Sequence, residues 1–193
     1  MGHCCLRFVY LRLMVFGTMR KDCRPSVEPI VIVPYDSEWP KKFETEKIAI
    51  QRALGAVVIE VHHIGSTAVS GLAAKPIIDI LVAVESLDDR PAFERGLSVL
   101  GYVNTPHDDD ANRLCYGRGA PSAYHVHVVR LNSWTYWRHI IFRDILISSP
   151  DVRSDYERLK MELATRFRGN REAYTDGKGA FIERTVAQEV RGK

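Results

Sequence analysis

The pair Gly65-Ser66 is followed, thirteen residues after the serine, by Asp79, a lone carboxylate inside the apolar run Pro76–Val84 (PIIDILVAV). A carboxylate in such a run is costly unless it is paired or binds a metal. Glycine allows close approach of the backbone to a ligand, and N–H groups with a serine hydroxyl suit phosphate oxygens. A carboxylate beside a phosphate site is what a divalent ion needs to bridge protein and nucleotide. Lys75, just before the run, can neutralise phosphate charge. A Gly-Ser pair alone is usually a turn. Joined to an isolated acid in an apolar strand, it points to phosphate chemistry.

His125 and His127 form a second feature. On a strand, residues i and i+2 share a face, so two imidazoles side by side can ligate a metal or contact phosphate. The competing reading is two half-exposed histidines on a sheet face. Arg143-Asp144 reads first as a structural ion pair, and otherwise as an arginine aimed at phosphate. Tyr174 and Lys178 (YTDGK) read as a turn into the last helix, or as a basic lid on the site. Asp108-Asp109-Asp110 reads as a solvated turn, because three consecutive acids cannot all point one way. Trp134 and Trp137 sit at helical spacing and read as core. Cys115 reads as a small buried apolar residue.

The elements that would position these groups follow from pattern. Ser37 and Pro40 predict a helix start, and the helix runs to Leu54 with Gly55 as its stop. Ala56–His63 is rich in β-branched residues and reads as a strand. Pro76–Val84 is apolar enough to be a central strand buried on both faces. Pro91–Leu100 reads as a helix. Tyr102-Val103, Arg113–Tyr116 and Tyr124–Leu131 are further strand candidates. Ser133 caps a helix through Ile145, Ser149-Pro150 opens another, and a last helix covers Gly179 to Val190. The class is α/β (α+β): a mixed sheet flanked by helices, with a C-terminal helical cluster.

The 193 residues suit one core, and the composition of 46% hydrophobic and 26% charged residues is that of an ordinary globular protein. A net charge of +3 gives no strong nucleic-acid signal. The four cysteines form no C-x-x-C pair, so neither a disulfide framework nor a zinc motif is expected, and a reducing, cytoplasmic location is the simplest reading. Residues 4–16 are apolar but too short, and too interrupted by Arg7 and Arg12, to span a membrane. Residues 1–27 read as a flexible, non-conforming N-terminal extension, with one domain over 28–193.

The run His63-Ile64-Gly65-Ser66-Thr67-Ala68-Val69, with Gly71-Leu72 and Lys75-Pro76-Ile77-Ile78-Asp79-Ile80, resembles the GrpB-like family of predicted nucleotidyltransferases. Val33-Pro34-Tyr35, Trp39-Pro40, His125-Val126-His127-Val128-Val129, Phe142-Arg143-Asp144 and Tyr174-Thr175-Asp176-Gly177-Lys178 fit the same pattern in the same order. The resemblance implies the polymerase-β-like nucleotidyltransferase fold. That superfamily's signature is a Gly-Ser turn, an acid–apolar–acid strand and a third acid on a neighbouring strand. Here Gly65-Ser66 and Asp79 match, Leu81 stands at the second acid, and His125 and His127 stand where the third is expected. The family's usual proline after Val69 is Ser70, and its arginine after the Phe-Arg-Asp segment is absent at Ile147.

The resemblance implies a protein that binds a nucleoside triphosphate and passes a nucleotidyl group to a small-molecule or protein acceptor. Asp79, His125 and His127 would hold Mg2+ or Mn2+ and carry catalysis. His63, Gly65, Ser66, Thr67, Lys75, Arg143 and Lys178 would bind substrate phosphate. The missing acids motivate an alternative, a non-catalytic nucleotide- or phosphate-binding regulatory module. A weaker alternative is a mononuclear metal hydrolase built on Asp79, His125 and His127.

Overall fold

The structure is a computed structural model that describes residues 29–105 and 112–192. The N-terminal extension with Cys4, Cys5 and Cys23, and the turn at Asp108–Asp110, lie outside the described residues. A five-stranded sheet is built from β1 (Val58–Ile64), β2 (Ile78–Val84), β3 (Val103–Asn104), β4 (Arg113–Arg118) and β5 (Tyr124–Arg130). Its order is β1-β2-β5-β4-β3. Only β2 and β5 run parallel; the other neighbours are antiparallel. The apolar run is β2, and it lies between β1 and β5, as a strand buried on both faces should.

Alternation along the strands divides the core. Ile78, Ile80, Val82 and Val84 of β2 face α1 (Trp39–Leu54) and α2 (Arg90–Ser98), packing against Trp39, Phe43, Ile50, Phe93 and Leu97. The opposite face carries Asp79, Leu81 and Ala83. There Leu81 and Ala83 pack on Tyr136 and Ile140 of α3 (Trp134–Ser148). α4 (Pro150–Arg166) and α5 (Arg171–Arg191) join α3 in a third cluster around Leu72, Phe142, Leu146, Tyr156 and Val186.

Several local expectations hold in chemical detail. Gly55 ends α1 with φ of 66°, which glycine adopts without steric cost. The Ser133 side chain caps α3 by accepting from the Tyr136 N–H. Other expectations are corrected. Ser37 does not cap α1; Asp36 Oδ1 accepts from the Glu38 N–H at 2.9 Å instead. The last helix begins at Arg171, not Gly179, and runs unbroken through Gly177 and Gly179. Asn170, accepting from the Ala173 N–H, is its cap. Trp134 and Trp137 are not core: they are 56% and 43% exposed, because α3 turns Tyr136, Ile140 and Phe142 inward. Among the described residues no helix is long and apolar enough to cross a membrane.

Candidate functional site

β1 ends at Ile64, and the chain reverses through Gly65 and a short 3-10 turn over Ser66–Ala68. Gly65 has φ of 71°, and a Cβ there would lie 2.5 Å from Asp79 Oδ2. Glycine at this point therefore lets the turn close onto the carboxylate of β2. The parallel pairing of β2 with β5 sets Asp79 opposite His125 and Leu81 opposite His127. α4 and α5 then roof the end of the sheet. Together they enclose a cavity of about 280 Å3.

On the cavity wall, His125 Nδ1 lies 3.1 Å from Asp79 Oδ1, and His127 Nε2 lies 3.9 Å from the same oxygen. Burial opposes ionisation of Asp79, but the hydrogen bond from His125 and the nearby His127 ring outweigh it and hold the carboxyl well below the usual carboxylate range. Asp79 is the only carboxylate among the described residues that line the cavity. Against it stand six cationic side chains: Lys75, Arg113, Arg138, Lys160, Arg171 and Lys178. Lys75 and Lys178 flank the Tyr174 ring at 5.3 and 4.4 Å. Arg171 reaches His125 Nε2 at 2.9 Å, and Arg138 pairs with Glu183 at 2.6 Å.

The lysines resist their own charge. Burial pulls Lys160 down to about 7 and Lys178 down to about 8, the latter helped by nearby Lys75. Lys75 is also lowered, by burial and then by Arg171. Lys160 is 2% exposed. Its ammonium donates to the Ala73 carbonyl and contacts Ser66 Oγ at 3.0 Å. Burial also drives His139, set edge-on to His127 at 5.6 Å between centroids, down to about 3. A cationic, partly desolvated concavity is a site for a polyanion.

The structure thus brings Gly65, Ser66, Thr67, Lys75, Asp79, His125, His127 and Lys178 to one cavity. Thr67 lines it with its hydroxyl donating to the Ile77 carbonyl. Two expected phosphate ligands are placed elsewhere. His63 faces α1, stacked on Phe43 at 4.7 Å, and burial lowers it to about 4. Arg143 pairs with Asp144 and donates to the His63 carbonyl at 3.2 Å, which is the structural role. Tyr174 and Lys178 are not a turn; they sit on α5 and line the cavity. Cys115 is buried as expected, with its sulfur 3.5 Å from His127 Nδ1. Lys160, Arg113, Arg138, His139, Arg171 and Tyr156 were not identified from sequence. Lys160 stands one turn past Tyr156 on α4, a position at which a helical lysine is ordinarily solvated, so no window of sequence marks it out.

The resemblance implies Mg2+ or Mn2+, and the donor set tests it. Two-ion phosphoryl transfer wants several carboxylates. Here the second acid is Leu81, which is fully buried in the α3-facing cluster. Among the described residues no group of three or more His, Cys, Asp or Glu side chains is arranged to hold a metal ion. Six cations surround the one acid. These residues do not fit a protein-held divalent centre, whether paired or mononuclear.

Comparison with known proteins gives consistent results. Residues 29–188 match the GrpB protein family. Protein YqkA of Bacillus subtilis is 31% identical over 165 residues, covering 85% of this chain and 48% of its own length. This chain thus spans about half of that relative. Glutamate-rich protein GrpB of Alkalihalophilus pseudofirmus is 32% identical over 160 residues, which is 80% of this chain and 92% of that protein. The crystal structure of conserved protein GrpB from Enterococcus faecalis superposes with a TM-score of 0.76 at 30% identity, covering 84% of this chain and 98% of that one. With a family match over nearly the whole described domain and the same fold in that structure, the chain belongs to the GrpB family.

Proposed function

We propose that the cavity binds the polyphosphate of a nucleoside triphosphate, in the manner of a nucleotide-binding module. One observation carries this reading: six cationic side chains converge around a single carboxylate, and three of them are lysines whose charge burial disfavours. A polyanion relieves that cost. Lys75 and Lys178, both beside the Tyr174 ring, contact the phosphates, and Ser66 supplies a hydroxyl. A cytosolic setting suits such a ligand.

Calorimetric titration with each of the four common nucleoside triphosphates tests the reading. Binding is expected without added divalent ion. Lys75→Ala and Lys178→Ala are each expected to weaken it about tenfold or more, the scale of a charge-assisted hydrogen bond. No binding to any of the four, by the wild type or by Asp79→Asn, overturns the proposal.

A second reading, nucleotidyl transfer to a small-molecule or protein hydroxyl, is favoured by the ionised Asp79 beside the Gly65-Ser66 turn. The two readings separate on one variant. Asp79→Asn removes a negative charge facing the phosphates, so a binding module binds as well or better. A transferase loses pyrophosphate release in the same variant.

A further inference from the structure

Ser66 and Lys160 form a pair that phosphate binding alone does not require. Lys160 comes from α4, ninety-four positions along the chain from Ser66, and its nitrogen lies 3.0 Å from Ser66 Oγ. The Ala73 carbonyl accepts from the same nitrogen and fixes its position. Glu157, one turn earlier on α4, is tied to the Ala73 N–H at 3.1 Å, so the segment holding Lys160 is itself anchored. The Tyr156 ring packs beside the Lys160 nitrogen at 5.1 Å. Ser66, Tyr156 and Lys160 all line the cavity. A serine in hydrogen-bond reach of a buried, positioned lysine is the arrangement of an activated nucleophile.

We propose that Ser66 is a nucleophile with Lys160 as its general base, and that it takes the phosphorus of a phosphoric anhydride bound in the cavity. In the step, Ser66 Oγ forms a bond to phosphorus while the anhydride P–O bond breaks. The leaving phosphate or polyphosphate departs with that bond's electron pair, and the serine proton passes to Lys160 Nζ. The product is a phosphoester on Ser66. Burial favours the neutral amine that the base role needs near pH 7, with the Glu157 carboxylate acting against this and Lys178 acting with it. The surrounding cations stabilise the leaving group. The choice of phosphorus ligand rests on the polyphosphate reading above; the nucleophile itself does not.

The test uses a fluorophosphonate probe and, separately, each nucleoside triphosphate, with the modified peptide located by mass spectrometry. The probe is expected to lose fluoride and label Ser66. Its rate in the wild type is expected to rise about tenfold per pH unit below about 7 and to level above it. Lys160→Arg keeps a cation but cannot accept the proton, and is expected to slow labelling about 100-fold. The wild-type pH profile needs no variant and stands even if Lys160→Arg misfolds. With a triphosphate, Ser66 is expected to gain a phosphoryl or nucleotidyl group, and the mass of the adduct says which phosphorus was attacked. An absence of Ser66 labelling by the probe overturns the proposal, as does a rate that ignores both pH and Lys160→Arg. Calorimetry on the same preparation separates the two readings. Triphosphate binding without any Ser66 adduct overturns the covalent step and leaves the binding reading standing. Probe labelling without triphosphate binding keeps the nucleophile and overturns the choice of ligand.

Discussion

At 2% exposure, Lys160 is held where water cannot solvate its charge. Its folded value of about 7 lies below the ordinary 10.5, so between these values the unfolded chain binds the extra proton. Stability therefore rises with pH across that window and is lowest below about 7, where the buried ammonium is fully charged. Denaturant unfolding of the ligand-free protein at a series of pH values is expected to show this rise, on the order of a few kcal/mol, and Lys160→Met is expected to flatten it. A bound polyanion acts the other way on Lys178, beside the Tyr174 ring, because it favours that lysine's charged form. Triphosphate binding is then expected to take up protons and to weaken as pH rises through about 8, where Lys178 loses its own. Calorimetry in buffers of different ionisation enthalpy checks this uptake. Asp79 was legible from sequence as a singular residue because one acid in an apolar strand stands out in any window. Lys160 was not, since a lysine on a helix is ordinarily solvated, and only the packing of α4 over Ala73 buries it.

At the scale of elements, glycines mark the places where two elements come closest. In α5 a Cβ on Gly177 would lie 2.6 Å from Leu163 Cδ2 of α4. Alanine is the better helix former by roughly 1 kcal/mol, yet Gly177→Ala is expected to destabilise by about 1–3 kcal/mol through overpacking. Urea unfolding measures it, and adding Leu163→Ala should recover part of the loss relative to the sum of the single changes. At Gly65 both the positive φ and the contact with Asp79 oppose a side chain. Gly65→Ala is expected to cost about 1–3 kcal/mol and to weaken triphosphate binding, read by the same two measurements. The stop at Gly55 and the cap at Ser133 were legible because they act within one turn of chain. The start of α5 was not: Asp176-Gly177-Lys178-Gly179 has the composition of a turn, and only packing against α4 makes it helical. Trp134 and Trp137 failed for a related reason. Their spacing is helical, but three residues' separation does not say which face meets the sheet.

For the whole molecule, the cavity joins residues from β1 to α5, so a ligand there braces the sheet against the helical cluster. Tripolyphosphate at about 100 times its dissociation constant is expected to add about 2.7 kcal/mol, and to raise Tm by roughly 5–10 °C. Added salt is expected to shrink that shift, because the attraction is electrostatic. A thermal melt with and without salt reads both effects. The sequence by itself determined the central strand, the Gly65 turn, the lone Asp79 and the paired histidines, and with them the family. These are local signals, carried by residue type, by a two-residue period and by a glycine that must bend. Tertiary structure alone decided that His63 and Arg143 leave the site, that α5 brings Lys178 in, and that Lys160 meets Ser66. Those outcomes depend on which faces of α3, α4 and α5 turn toward the sheet, a choice made by long-range packing that no window of sequence contains.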